Sequence, residues 1–307
     1  MNIKNTTQNY NMPIDTAKNT CDSLFDYAIF LYDSDIEVEK RLEINSVYEN
    51  VKNIFKNIRY DHSNLLLALQ ESELRKNENY LYSHTVRTSI LALIIGKYLN
   101  IPTHKLIELG VAALLHDIGM LSVPEELYLQ SLPLTKEEKT ILDNHPKYGF
   151  KILTAHNYSS IITLAVLEHH EREDGTGYPR KLTRDNISLF GKIIAVACSY
   201  EAISARRKYK DSLDLHTGIV EMLKNKSKYN NAALMALVNS LSLYPVGLYV
   251  LLSDGNRGQV IDINSKDPRY PVVQILDEKT NDGKIIKKHT FSDGLHIIRP
   301  LRNDEIT

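Results

Sequence analysis

Five histidines fall where a folded chain holds them least easily. His84, His116, His145, His169 and His170 interrupt segments whose apolar residues recur at helical spacing, so each imidazole is expected in an interior rather than on a solvated face. A buried imidazole needs partners for both ring nitrogens or it costs stability. One such residue is ordinarily a hydrogen-bonded core side chain. Five of them constrain the fold to bring distant stretches of chain together around a polar centre.

The histidines come partly in pairs. His116-Asp117 closes the apolar run 111–115 and precedes Ile118-Gly119, which sets an imidazole beside a carboxylate at the end of a buried helix. Neighbouring helical residues point about 100° apart, so adjacent ligands address different ions, or one bridges through its carboxylate. The same holds for His169-His170. Together with His84 and His145 the two pairs fit a two-ion cluster better than one tetrahedral zinc. Nitrogen and oxygen donors suit iron, manganese or zinc, and spacing does not choose among them. The alternative is a buried polar network without metal, which must satisfy every imidazole by itself.

The surrounding pattern predicts a mainly α protein. Two amphipathic helices are expected over 33–76, carried by Val47, Val51, Ile54, Phe55 and Ile58 and then by Leu65, Leu66 and Leu69. Segment 80–99 is apolar enough for a helix buried on most sides, and Asn100 and Pro102 stop it. Further helices are expected over 103–115, 135–153, 160–170, 189–206, 213–224 and 232–241, the second of these capped by Thr135. After residue 243 the pattern changes to short β-branched runs at 244–252, 258–263, 271–276 and 284–290, separated by turn signals such as Asp254-Gly255 and Asn281-Asp282-Gly283. We therefore expect an N-terminal helical region (1–60), a metal-binding helical bundle (61–243) and a small C-terminal β module (244–307).

Composition excludes some partners. The 307 residues carry 37 Lys plus Arg against 38 Asp plus Glu, a formal charge of −1, so no global field would hold duplex DNA. Cys21 and Cys198 form no Cys-x-x-Cys pair and suggest neither a disulfide framework nor a thiolate zinc site of the usual spacing. Segment 1–13 lacks the apolar stretch of a signal peptide, and the longest apolar run, 90–95, falls far short of the roughly 20 residues that span a bilayer. The expectation is a cytoplasmic protein.

The string His169-His170-Glu171-Arg172-Glu173-Asp174-Gly175-Thr176-Gly177-Tyr178-Pro179 packs a helix end, two glycines and a proline into one tight loop. Beside a metal, such a loop is a place to grip substrate. Its plainer reading is a turn with glycines at positive φ. The pairs His116-Asp117 and His145-Pro146 and this full string, in this order, resemble the HD-GYP family, the all-helical branch of the HD phosphohydrolases that hydrolyses cyclic di-GMP. The resemblance runs from about residue 80 to 210.

The resemblance implies metal ligation by His84, His116, Asp117, His145, His169 and His170, with Asp117 bridging two divalent transition-metal ions and His116 and Asp117 at the catalytic centre. Tyr178 matches the family's substrate-contacting tyrosine, Asp174 and Gly177 of the same loop are expected to bind substrate with it, and Arg207, Tyr209 and Lys210 match a basic segment that contacts the ligand. Three departures matter. Cys198 follows Ile194-Ala195-Val196-Ala197 where the family has an aspartate ligand, with Glu201 at the second acid. A thiolate there could ligate and favour softer metals; the alternative is a small core residue on an apolar helix. Met120 stands where a lysine meets the substrate phosphate, and Tyr80 stands where trinuclear members carry a glutamate, so a third metal is not expected.

The expected activity is a metal-dependent phosphodiesterase that hydrolyses cyclic di-GMP to pGpG or GMP, slowed by the loss of the lysine charge. The rival is a degenerate member that binds the nucleotide without cleaving it and signals through a partner protein. Hydrolysis of another nucleotide, a different cyclic dinucleotide or a nucleoside phosphate, is a third reading, and the Gly-Tyr-Pro loop argues for cyclic dinucleotides by analogy only. The amphipathic face near 37–58 could serve a homodimer, an interface that periodicity does not distinguish from an internal one.

Overall fold

Among the described residues helices run as far as Leu241 and a small sheet follows, the mainly α class that the change of sequence pattern predicts. The computed structural model describes residues 14–33, 35–60, 80–129, 133–204, 215–241, 244, 247–262, 264, 270–279, 285–290, 293–301 and 305. The second half of the 33–76 expectation, with Leu65, Leu66 and Leu69, lies outside them.

In chain order the α-helices are α1 (Ile14–Tyr32), α2 (Val38–Arg41), α3 (Ile44–Tyr60), α4 (Tyr80–Tyr98), α5 (Thr103–Leu114), α6 (Glu125–Leu129), α7 (Lys136–Leu142), α8 (His145–Ala155), α9 (Ser160–Glu168), α10 (Leu189–Ser204), α11 (Leu215–Lys224) and α12 (Asn231–Leu241). A 3-10 turn, Ile118–Ser122, links α5 to α6. Helix α4 is buried along nearly its whole length, as its apolar density predicts, and α1, α5, α10 and α12 pack around it. On α3 the predicted stripe Val47, Val51, Ile54 and Ile58 is buried and faces α5. The same core takes in Ala17, Cys21, Leu24, Ala28 and Leu31 of α1, a helix whose apolar stripe is diluted in sequence by Thr, Asn and Asp.

The single helix expected over 135–153 is two. Thr135 closes α7 with a reciprocal capping box, Glu138 N–H donating to Thr135 Oγ1 and Thr135 N–H to the Glu138 carboxylate. Pro146 has no N–H to continue a helix but suits the first turn of a new one, so the chain breaks before α8. The break frees the Leu142 carbonyl, which accepts from His145 Nδ1 at 2.7 Å.

Five strands, not four, form the antiparallel sheet: β1 (Tyr249–Leu252), β2 (Arg257–Asp262), β3 (Val272–Lys279), β4 (Ile285–His289) and β5 (Ile297–Pro300) in the order β4-β3-β2-β1-β5. Strand β5 is short and half of it is Arg299 and Pro300, which hid it in the pattern. Val250, Leu252, Val260, Val273, Ile275 and Ile297 make a second apolar core on one face. Among the described residues no helix is long and apolar enough to cross a membrane.

Candidate metal centre

The polar centre is assembled by three helix ends and by the inner faces of two buried helices. Helix α4 brings His84, the turn after α5 brings His116 and Asp117, the first residue of α8 is His145, the turn after α9 carries His169 and His170, and α10 brings Cys198 and Glu201. Gly119 makes the closest of these approaches feasible. A Cβ there would lie 1.9 Å from the His145 carbonyl oxygen and 2.5 Å from Gly149 N, so only glycine lets the 3-10 turn press against the start of α8.

Asp117 divides its two oxygens between two groups of ligands. Oδ2 lies 3.3 Å from His116 Nε2 and 3.6 Å from His84 Nε2, whereas Oδ1 lies 3.2 Å from His145 Nε2 and 3.5 Å from His169 Nε2. His84, His116 and Cys198 form one set of ligand atoms within 4.8 Å of each other, and Asp117, His145, His169 and His170 form another; either could hold a metal ion. All seven metal-ligand candidates read from the sequence are thus brought together. Cys21, by contrast, is buried in the α1 core, and both cysteines are free.

The donor chemistry fits cations. His116, His145 and His169 each donate Nδ1–H to a carbonyl oxygen at 2.7 Å, those of Ala113, Leu142 and Val166, and since a carbonyl only accepts, Nε2 is the nitrogen of each ring left to face a cation. His84 Nδ1 donates to the Glu201 carboxylate, which also accepts from Tyr80 OH at 3.3 Å. The Nε2 atoms of His145 and His169 stand 3.3 Å apart, as do those of His84 and His116. Lone pairs facing lone pairs and a carboxylate repel unless protons or metal ions lie between them. Carbonyl and carboxylate partners on the far nitrogen are the usual outer support of metal-binding histidines.

Titration follows the same asymmetry. Burial pushes His169 down to about 3 and drives His170 down too, so both rings are neutral at pH 7. Burial would raise the Cys198 thiol, but His84 and His116 outweigh it and bring it from 9.0 down to about 6. Burial likewise opposes ionisation of Asp117, yet His116, His145 and His169 hold it well below the usual carboxylate range.

Around the second half lies the loop after α9. The Tyr178 ring stacks on His170 with centroids 4.6 Å apart and meets His145 edge-on at 6.4 Å, which sets it beside the ligands. Gly177 is packed so closely that a Cβ would come within 2.4 Å of Arg172 N. Asp174 is exposed and its carboxylate is taken by Thr176, whose N–H and hydroxyl donate at 3.1 and 2.6 Å. Two buried acids that the sequence reading gave no role hold the loop. Glu171 accepts from Arg180 N and Leu182 N at 2.7 and 2.8 Å, and Glu168 accepts from Ser188 N and pairs with Arg180. Arg172 spans from the Glu171 carbonyl to Ser199 Oγ, with its guanidinium over Tyr229. The i,i+3 spacing of Cys198 and Glu201 and the i,i+4 spacing of Tyr80 and His84 were the signals available for the support of His84.

Met120, in the place of a lysine, is only 7% exposed. Arg207, Tyr209 and Lys210 lie outside the described residues.

Comparison with known proteins agrees with this geometry. The HD domain family matches residues 68–233, more than half of the chain. The cyclic di-GMP phosphodiesterase PdeB of Borreliella burgdorferi is 34% identical over 215 residues, 70% of this chain and 56% of that protein. A cyclic di-GMP phosphodiesterase of Pseudomonas aeruginosa is 33% identical over 216 residues, 70% of this chain and 52% of its own length. The chain thus spans about half the length of these curated relatives. A solved HDG"Y"P protein from Bdellovibrio bacteriovorus shares the fold with a TM-score of 0.56 at 20% identity, covering 76% of this chain and 73% of that one. Fold, ligand constellation and sequence agree that the chain belongs to the HD domain family.

Proposed function

We propose that this protein is a metal-dependent phosphodiesterase that hydrolyses cyclic di-GMP to pGpG or GMP, with turnover reduced relative to relatives that keep a lysine at position 120. The observation that carries the reading is the division of Asp117 between two histidine groups, which suits a pair of divalent ions of the iron, manganese or zinc class. Such ions supply Lewis acidity to a phosphodiester and lower the pKa of water to near neutrality.

The chain's own residues do the rest. His116, His145 and His169, locked through Nδ1 by backbone carbonyls, hold the ligand atoms in place without reorganisation. Tyr178 presents an aromatic face and a hydroxyl beside His170, suited to orienting a nucleotide, and Gly177 permits the tight loop that places it. Arg207 and Lys210 are proposed to meet the phosphates. Asp174 acts through the loop by holding Thr176. Strands β1 to β5 form an accessory β module around their own apolar core.

A second reading, nucleotide binding without cleavage, draws on Met120, which supplies no charge to a phosphate. Chromatography of cyclic di-GMP after incubation with protein loaded with iron, manganese or zinc separates the two. Appearance of pGpG or GMP above a His116→Ala control supports hydrolysis; saturable binding with no product over hours supports the binder.

A further inference from the structure

We infer that the two halves of the centre are chemically unequal, and that the His84–His116–Cys198 half, closed by Oδ2 of Asp117, takes a thiophilic divalent ion of the zinc class in preference to a hard ion such as manganese. This rests on the reading that both halves hold ions.

Three observations carry it. The donor set of the first half is two imidazole nitrogens, one sulfur and one carboxylate oxygen, whereas the second half, Asp117 Oδ1 with His145, His169 and His170, contains no sulfur. A thiolate selects soft and borderline metals, and nitrogen and oxygen donors alone do not.

Four of the six ligand-to-ligand edges of the first half also match a four-coordinate ion. With bonds of about 2.0–2.1 Å to nitrogen and about 2.3 Å to sulfur, the edges of a zinc tetrahedron come to about 3.3–3.6 Å. His84 Nε2 lies 3.3 Å from His116 Nε2 and 3.5 Å from Cys198 Sγ, and Asp117 Oδ2 lies 3.3 Å and 3.6 Å from the two imidazoles. Manganese favours more oxygen donors and a larger coordination number, which this half does not offer.

Finally, Cys198 is no bystander of packing. Only 4% exposed, it turns its sulfur to His84 Nε2 although the apolar residues Ile194 and Ala197 of the same helix face the core. Tyr178 of the loop stacks on His170, a ligand of the other half.

The test is cobalt(II) titration of the metal-free full chain, followed by absorption and by competition between zinc and manganese with elemental analysis. The inference expects an intense near-ultraviolet thiolate-to-cobalt charge-transfer band in the wild type, absent in Cys198→Ser. It expects Cys198→Asp to bind ions without that band and to lose zinc-over-manganese preference by at least the roughly tenfold that loss of an outer partner alone costs. Binding of cobalt with no such band, or an unchanged preference in Cys198→Asp, overturns the inference and leaves the phosphodiesterase reading standing. No binding of any ion overturns both.

Discussion

Glu201 accepts the Nδ1 proton of His84, a carboxylate support where His116, His145 and His169 each rely on a backbone carbonyl. A carbonyl is fixed by its helix, but a carboxylate can be removed by substitution. Glu201→Ala is expected to weaken metal binding by the first half by about 10- to 100-fold, and Glu201→Gln, which keeps an acceptor oxygen, by less. Competition against a chromophoric chelator reads both. Equal affinities in wild type and Glu201→Ala would mean that Tyr80, 3.2 Å from the same nitrogen, holds the ring alone.

Asp117 should couple the two halves. With ions removed, acceptor atoms face one another at 3.2–3.6 Å, so chelation is expected to lower the melting temperature of the wild type. An ion present at 100 times its dissociation constant contributes about 2.7 kcal/mol. In Asp117→Asn the chelator-induced shift should shrink, and kcat on cyclic di-GMP should fall by about two orders of magnitude or more, since several kcal/mol of charge stabilisation are lost. A full wild-type shift in Asp117→Asn would show that the carboxylate does not hold the ions.

The centre was legible where its signals are local. His116-Asp117 and His169-His170 are adjacent in sequence, and apolar helical periodicity on either side marks them as buried. The support of His84 was only half legible: helical spacing sets Tyr80 beside His84 and Glu201 beside Cys198, but Glu201 lies 117 residues from His84 and only packing of α10 on α4 joins them. Helix α1 falls in the helical region expected over 1–60, but polar residues dilute its stripe and left its bounds unread, and the break between α7 and α8 was missed because apolar periodicity runs through it while Pro146 starts a new helix. Packing of α1 on α4 brings Tyr32 close to the centre: burial raises its hydroxyl pKa and Asp117 raises it further, a proximity no motif encodes.

Gly119→Ala is expected to be far more damaging than its small added volume suggests. The neighbours of the new methyl are backbone atoms, the His145 carbonyl oxygen at 1.9 Å and Gly149 N at 2.5 Å, which cannot rotate away. The cost should reach about 3 kcal/mol, the upper end of overpacking, as either a lowered melting temperature or a separation of Asp117 from His145. At Gly255, where nothing lies within 4 Å and only the φ of +85° opposes a side chain, alanine should cost about 1–2 kcal/mol. Thermal denaturation of the two variants compares them, and a smaller loss at Gly119 would refute the close approach.

Glu171 governs the loop and not the ligands. Its two oxygens accept from Arg180 N and Leu182 N, and it is 1% exposed, so Glu171→Ala strands two part-buried donors. The segment they tie down is the one that stacks Tyr178 against His170, whereas Nδ1 of His169 is held independently by Val166. Loosening should therefore cost substrate positioning before it costs ion binding. We expect Glu171→Ala to raise KM for cyclic di-GMP about tenfold or more, the equivalent of one charge-assisted hydrogen bond, with metal content unchanged and cleavage between 171 and 182 by a protease accelerated. Steady-state kinetics with elemental analysis and limited proteolysis read the three quantities. Loss of metal with an unaltered KM would place Glu171 in support of the ligands instead.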